Sequence, residues 1–186
     1  MILAFTGAGI SRDSGISTFM EQPTIRERLY RSYAKSNPKQ YNQTISQLTK
    51  IMRMAQPNDA HFALSEYGID VITMNVDGLH EKAGSTPLLL HGVMPGENEL
   101  SHAHELYNKP VLYGDDAPNY QKAIEKVNQL GEGDVFLVVG ASDHTAIAVE
   151  LRKLAKKRKA QVIEIQENAS IEVRKTLENL VIEGRL

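Results

Sequence analysis

Two short, unbroken apolar runs constrain the fold of this chain more than any other feature. Residues 1–6 (MILAFT) open it, and residues 134–139 (DVFLVV) come near its end. A run that is apolar at nearly every position predicts a strand buried on both faces, because a strand with one wet face alternates polar and apolar residues. Further strands are predicted at 69–74, 88–90, 110–113 and 160–165, with helical segments between most of them. This alternation predicts an α/β fold with a parallel, doubly wound sheet.

Two regions interrupt the alternation of strands and helices. Residues 20–56 are rich in Arg, Lys, Gln, Asn and Tyr, and they carry an apolar stripe at helical spacing, formed by Ile45, Leu48, Ile51 and Met52. This pattern predicts a small, mostly helical inserted lobe. Residues 93–108 are polar and irregular, which predicts a loop with one helical turn at most. The tail from 168 fits one amphipathic helix, or a short helix followed by a strand at 180–182.

Composition limits the class of protein. The 186 residues suit one domain, and a net charge of −2 gives no reason to expect nucleic acid or an acidic membrane as a partner. No apolar run approaches the ~20 residues that cross a bilayer. Cysteine is absent, which excludes disulfides and thiolate zinc sites. His102 and His104 are expected to be solvated, so no metal site is predicted. An expected core strand at residue 1 leaves no room for a signal peptide, and the expected location is cytoplasmic.

Polar and glycine residues follow three of the predicted strands. A glycine turn at 7–11 follows the first strand, Asn75 and Asp77 follow the second, and His91 follows the third. The carboxyl ends of parallel strands line one crevice, where ligands bind. Glycines before a helix suit a diphosphate, and an amide, a carboxylate and an imidazole suit the cleavage of a nucleotide. The glycine turn alone fits a ligand-free tight turn equally well, because G-x-G-x-x-G lacks its third glycine at position 12.

Together with their neighbours, these stretches resemble the sirtuin family. The similar motifs keep the family's order: GAGIS and SGI at 7–16, PNxAHxAL at 57–64, a TQNxDxLHxxAG-like stretch at 73–84, HG at 91–92, an RPxVVxFGExxP-like stretch at 110–118, a GTS-like turn at 140–142 and a closing-strand motif at 180–184. The resemblance implies a Rossmann-like sheet, and the lack of cysteine implies that the family's zinc ribbon is missing. The resemblance also implies NAD as co-substrate and a lysine-acylated protein or small acylated molecule as acyl donor. It favours a strand at 180–182.

The resemblance implies roles for three residues. Asp77 would hydrogen-bond the nicotinamide carboxamide, Asn75 would position a ribose hydroxyl or a water molecule, and His91 would be the general base. Histidine suits that task because its unperturbed pKa of ~6.5 lies near working pH. His61 and His80 would be structural. The residues implied to contact NAD are Gly7, Ala8, Gly9, Ile10, Ser11, Ser14, Phe19, Met74, Gly140, Ala141, Ser142, Gln166 and Glu167.

The chain departs from the family's pattern at several positions. The four zinc-binding cysteines are missing, and only residues 93–108 occupy their interval. Met74 stands where the family has Gln, and Met20 stands where it has an Arg near the cofactor. The leading hypothesis is therefore deacylation, and two alternatives stay open. One is an NAD glycohydrolase or ADP-ribosyltransferase, and the other is a non-catalytic module that binds NAD or ADP-ribose.

Overall fold

A five-stranded, fully parallel sheet forms the centre of the molecule. The computed structural model describes residues 1–17 and 22–186. The strands are β1 (Ile2–Thr6), β2 (Asp70–Thr73), β3 (Leu88–Leu89), β4 (Val135–Val139) and β5 (Gln161–Ile165). Their spatial order is β3-β2-β1-β4-β5. The chain reverses its direction of progress between β1 and β4, so the topological switch point lies at their carboxyl ends. The predicted doubly wound sheet is confirmed.

Helices cover both faces of this sheet. They are α4 (Asp59–Glu66), α5 (Leu79–Lys82), α6 (Tyr120–Asn128), α7 (Ala146–Lys157) and α8 (Ala169–Ile182). Every residue of β1 and β4 is buried, as their unbroken apolar runs predict. Alternate residues point to opposite faces: Ala4 and Leu137 pack towards α4 and α8, while Phe5 and Phe136 pack towards α6 and α7. None of the helices in the described part of the chain is long and apolar enough to span a membrane.

Three further helices lie within the region of the predicted insertion. They are α1 (Pro23–Arg28), α2 (Arg31–Ser36) and α3 (Pro38–Met54). Ile45, Leu48 and Met52 of the predicted stripe are buried, whereas Ile51 is 52% exposed. The buried face of α3 packs against a 3-10 helix at Glu97–Glu105, which forms a small separate core with it. The prediction of a loop with one helical turn at 93–108 is wrong in its extent, because the structure forms 3-10 turns over Glu97–Glu105 on both sides of a kink at His102 (φ −127°).

Two predicted strands are wrong. The segment at 110–113 lies outside the sheet, and Tyr113 instead forms an isolated bridge with Tyr30, because the chain here pairs with the α1–α2 connection. The tail is the single helix α8, so the strand at 180–182 is absent. Val173, Leu177 and Leu180 are buried at helical spacing, and this amphipathic stripe extends the helix through the strand-like apolar residues.

Candidate functional site

The turns after β1 and β4 contact each other at the switch point. Gly7 donates its backbone N–H to the Val139 carbonyl (3.0 Å), and Gly9 donates to the Gly140 carbonyl (2.9 Å). A Cβ atom on Gly7 would lie 2.7 Å from the Gly140 oxygen, and one on Gly9 would lie 2.6 Å from the Gly140 Cα. The close approach of two backbones therefore requires these glycines, whether or not a ligand binds.

A short 3-10 helix at Ala8–Ser14 follows β1. It is seven residues long, because Gly15 adopts the left-handed conformation (φ 81°) and ends the helix. Asn58 holds this element from outside, because its side-chain amide donates to the Ile10 carbonyl (2.8 Å) and to Ser14 Oγ (3.1 Å). Sequence reasoning placed Asn58 in a motif without assigning it to the site.

Ser11, Asn75 and Asp77 form one hydrogen-bonded cluster beside this turn. Ser11 Oγ donates to Asp77 Oδ2 (2.7 Å), and the Asn75 amide donates to the Gly7 carbonyl (3.1 Å) and to Ser11 Oγ (3.3 Å). Asp77 Oδ1 accepts from the Leu79 N–H (3.0 Å). Ser11 is fully buried, and Asn75 and Asp77 are 8% and 9% exposed. The structure therefore brings these three predicted residues together and fixes the orientation of a carboxylate and an amide.

A cavity of about 230 Å³ lies against this cluster. Part of its wall is formed by Asn75, Val76 and Asp77. Another part is formed by Met52 of α3 and by Met94 of the interval 93–108. The cavity reaches Gly92, the residue after His91. Its surface is mostly apolar, with the Asp77 carboxylate and the Asn75 amide in its wall and Arg53, Glu81 and Lys82 also in its lining. The apolar part beside the carboxylate and the amide suits a flat, uncharged ring that carries a polar substituent.

His91 lies next to this cluster with both ring nitrogens engaged. Nδ1 is 3.0 Å from the Met74 carbonyl oxygen, and Nε2 is 2.9 Å from the Tyr120 hydroxyl. A carbonyl can only accept, so Nδ1 carries the proton and Nε2 holds the lone pair. Burial lowers the pKa of His91, and the Met74 carbonyl offsets this in part. No sequence signal pointed to Tyr120, which lies 29 residues further along the chain.

Hydrogen bonds to the Ala141 carbonyl fix the turn after β4. The Ala141 carbonyl accepts hydrogen bonds from Gln166 (3.0 Å) and from Arg152 (2.5 Å), and Arg152 also pairs with Glu164 (3.2 Å). Sequence reasoning missed Arg152, which is buried here. The other residues implied to contact NAD are spread around the crevice: Ala8 and buried Ile10 in the first turn, half-buried Met74 after β2, exposed Ser142 after β4 and exposed Glu167 after β5. Phe19 and Met20 lie outside the described residues.

Two buried histidines hydrogen-bond residues that in turn contact the cluster and the turn after β1. His61 Nδ1 accepts from the Asn58 N–H (3.3 Å) at the start of α4. His80 Nε2 lies 2.9 Å from Thr6 Oγ1, which bonds Thr73 Oγ1 (2.8 Å), and Thr73 in turn accepts from the Asn75 N–H (3.0 Å). Burial lowers the pKa of His61 to about 4 and that of His80 to about 3. Both side chains are thus neutral structural elements, as the sequence predicts.

Comparison with known proteins shows which family the chain belongs to. Residues 7–109 match the model of the Sir2 family. The NAD-dependent protein deacylase 2 of Archaeoglobus fulgidus is 34% identical, over 87% of this chain and 78% of the relative. The chain belongs to the Sir2 family. A second family member, the NAD-dependent protein deacylase of Thermococcus sibiricus, is 32% identical over 91% of this chain and 81% of its own.

Solved Sir2 structures have the same fold as this family member. A Sir2 homologue in complex with NAD superposes with a TM-score of 0.82 at 24% identity, covering 100% of this chain and 90% of that one. Sir2 bound to an acetylated peptide gives a TM-score of 0.78 at 22% identity, covering 98% of this chain and 94% of that one. The chain therefore has the Sir2 fold over nearly its whole length. Since the chain contains no cysteine, it has no zinc ribbon.

Proposed function

We propose that this Sir2-family protein is an NAD-dependent deacylase, which cleaves the nicotinamide–ribose bond and transfers an acyl group from lysine to ADP-ribose. The observation that carries the proposal is the interlocked cluster of Ser11, Asn75 and Asp77 at the switch point, with His91 beside it. Relatives that share about a third of the sequence are NAD-dependent protein deacylases, which supports the same activity here.

The donor and acceptor set beside the cavity fits NAD. Asp77 accepts one hydrogen bond on each carboxylate oxygen, from Ser11 and from the Leu79 N–H. A carboxylate has about four acceptor positions, so capacity remains for the N–H groups of a carboxamide. The adjoining cavity of about 230 Å³ has room for a group the size of nicotinamide. When bound, NAD supplies an electrophilic ribose carbon and nicotinamide as the leaving group.

Each residue of the cluster then has one task. Asp77 would hold the carboxamide, and Asn75 would orient a hydroxyl or a water molecule next to it. His91 would take a proton at Nε2, because Nδ1 already carries one and is bonded to Met74. Its lowered pKa keeps the ring neutral at neutral pH, so the base is ready without prior deprotonation. The turns at Gly7–Gly9 and Gly140–Ser142, with Gln166 and Glu167, would hold the rest of the dinucleotide.

Nicotinamide release from NAD tests this proposal. We expect release by the wild type to depend on an acetyl-lysine peptide. We expect His91→Ala to lower deacylated product by about 10²- to 10⁴-fold, the usual contribution of a general base. His144→Ala is the matched control, because His144 is exposed and lies outside the cluster. Peptide-dependent release no greater than that of the His91→Ala variant would refute a catalytic deacylase.

The compact interval at 93–108 favours a second candidate, an NAD glycohydrolase or ADP-ribosyltransferase. The 3-10 helix at Glu97–Glu105 packs directly on α3. The lobe beside the crevice would therefore be smaller than one that carries a four-cysteine zinc module. This activity would consume NAD equally well with and without peptide. A non-catalytic module would instead show calorimetric NAD binding without any nicotinamide release.

Two further expectations accompany the proposal. We propose that residues 1–186 form one NAD-binding domain, with a helical insertion at about 20–56. A cytoplasmic location stays a prediction from the sequence, and cell fractionation would test it.

A further inference from the structure

Tyr120 is the one side chain in the described part of the chain that hydrogen-bonds Nε2 of His91. Its hydroxyl lies 2.9 Å from Nε2, and the two rings are inclined at 48° with centroids 5.9 Å apart. The Nδ1 atom of His91 donates to the Met74 carbonyl, so the Tyr120 hydroxyl must be the donor to Nε2. The Tyr120 hydroxyl is therefore hydrogen-bonded to the nitrogen, Nε2, at which His91 would act as a general base.

The imidazole has only one lone pair in the ring plane at Nε2, and the phenol hydrogen already uses it. A second hydroxyl cannot donate to that nitrogen while the contact persists. A phenol oxygen, by contrast, can accept a hydrogen bond while it donates one. A proton can thus reach Nε2 through the Tyr120 oxygen without any displacement of the tyrosine.

Separate hydrogen bonds fix the two partners of the Tyr120–His91 contact. Tyr120 is the first residue of α6, and the preceding Asn119 donates its side-chain amide to the Leu89 carbonyl at the end of β3 (2.8 Å). His91 follows β3 by two residues and is fixed by the carbonyl of Met74, which follows β2. Both partners are therefore anchored to the same edge of the sheet, which preorganises a proton path.

We propose that Tyr120 relays the proton from the reacting hydroxyl to Nε2 of His91, an assignment that rests on the proposed role of His91 as base. The reacting hydroxyl gives its proton to the Tyr120 oxygen as Tyr120 gives its own proton to Nε2. Tyr120 ends neutral, His91 ends as imidazolium, and the hydroxyl oxygen keeps the electron pair with which it forms its new bond. Burial raises the pKa of Tyr120 and lowers that of His91, so both start neutral.

A measurement without NAD tests the contact itself. In ¹⁵N NMR of the NAD-free protein, His91 should show the Nδ1–H tautomer. Tyr120→Phe should raise the His91 pKa by about half to one unit, because the donor to the neutral ring is lost. Tyr67→Phe removes a hydroxyl that packs on the opposite face of the sheet and should leave the His91 titration unchanged. A His91 pKa that is the same in Tyr120→Phe and wild type would overturn the proposal.

Kinetics then separate the relay from the proposed function. Tyr120→Phe should slow deacylation at saturating substrates by about 10- to 100-fold, with the KM for NAD within about twofold, and should still exchange labelled nicotinamide into NAD. In H₂O–D₂O mixtures the wild-type rate should curve as two protons move, while the residual Tyr120→Phe rate should fall linearly. If the wild type and Tyr120→Phe turn over equally, only the relay is wrong. If the wild type does not turn over at all, the proposed function is wrong and the relay fails with it.

Discussion

At the scale of single residues, the Ser11 hydroxyl stabilises the buried carboxylate of Asp77 by a hydrogen bond. It donates to Asp77 and accepts from Asn75, and it is fully buried. Ser11→Ala would leave one Asp77 oxygen without this donor, and a hydrogen bond to a charged group contributes about 1.5–3 kcal/mol. We expect urea unfolding to show a loss of this size, together with slower nicotinamide release. Ser36→Ala, on the exposed end of α2, is the control. An equal loss in both variants would contradict the assignment.

Gly140 offers a second test at this scale. Its φ is +59°, and a Cβ there would lie 2.3 Å from the Ile10 nitrogen. Gly133 has φ +90° with no atom within 4 Å of its added Cβ. Gly133→Ala should cost about 1–2 kcal/mol of strain. Gly140→Ala should cost clearly more and weaken NAD binding, because the two turns must separate. Comparison of the two variants by thermal unfolding isolates the clash, and equal losses would show that only φ matters.

At the scale of elements, a buried ion pair fastens the end of the 3-10 segment at Glu97–Glu105. Arg31 forms two hydrogen bonds with Asp115 (2.7 and 2.6 Å) and donates to the carbonyls of His104 (2.9 Å) and Leu106 (2.8 Å). The Arg31 and Asp115 side chains are 8% and 3% exposed. Burial raises the pKa of Asp115, but the hydrogen bonds from Arg31 and the Leu112 N–H outweigh it, so the carboxyl stays ionised.

This pair predicts a marked difference between two arginines that hold the same segment. Arg31→Met strands the Asp115 charge and should cost about 3–5 kcal/mol, with faster amide exchange over 97–106. Arg53→Met breaks an exposed contact with Glu97 and should cost less than about 1 kcal/mol. Hydrogen exchange and urea unfolding measure both effects. Similar amide exchange over 97–106 in the two variants would show that the buried pair does not hold the segment.

The elements also show where sequence reasoning succeeds and where it stops. β1 and β4 were predictable because a strand buried on both faces needs an apolar residue at every position. The tail was mispredicted because its last apolar residues fit a strand as well as a helix, and only packing of Val173 and Leu177 decides between them. Asn75, Asp77 and His91 were found because each lies within three residues of the end of a predicted strand and belongs to a motif of the family. Tyr120 was missed because its partner His91 lies 29 residues away and shares no motif with it. Arg152 was missed because it begins a run of basic residues, a pattern typical of the exposed face of a helix.

At the scale of the whole molecule, the two buried histidines connect the sheet to its helices. His61 lies on α4 and His80 on α5, their rings are in edge contact at 4.9 Å, and His80 bonds to Thr6 of β1. Burial lowers the pKa of His61 to about 4, and burial together with the neighbouring His61 lowers the pKa of His80 to about 3. Neutral rings are therefore a condition of the folded state.

The global stability should consequently fall in mild acid. Because both folded pKa values lie below the unfolded value of about 6.5, the unfolded chain takes up protons first as pH decreases. The stabilisation is complete above pH ~6.5 and is lost as pH falls towards 4. Between pH 7 and 5 we expect the free energy of unfolding in urea to drop by about 2–4 kcal/mol. His80→Gln, which keeps a donor towards Thr6, should remove about half of that drop, whereas exposed His144→Gln should not change it. A drop that persists in full in His80→Gln would place the acid sensitivity elsewhere in the molecule.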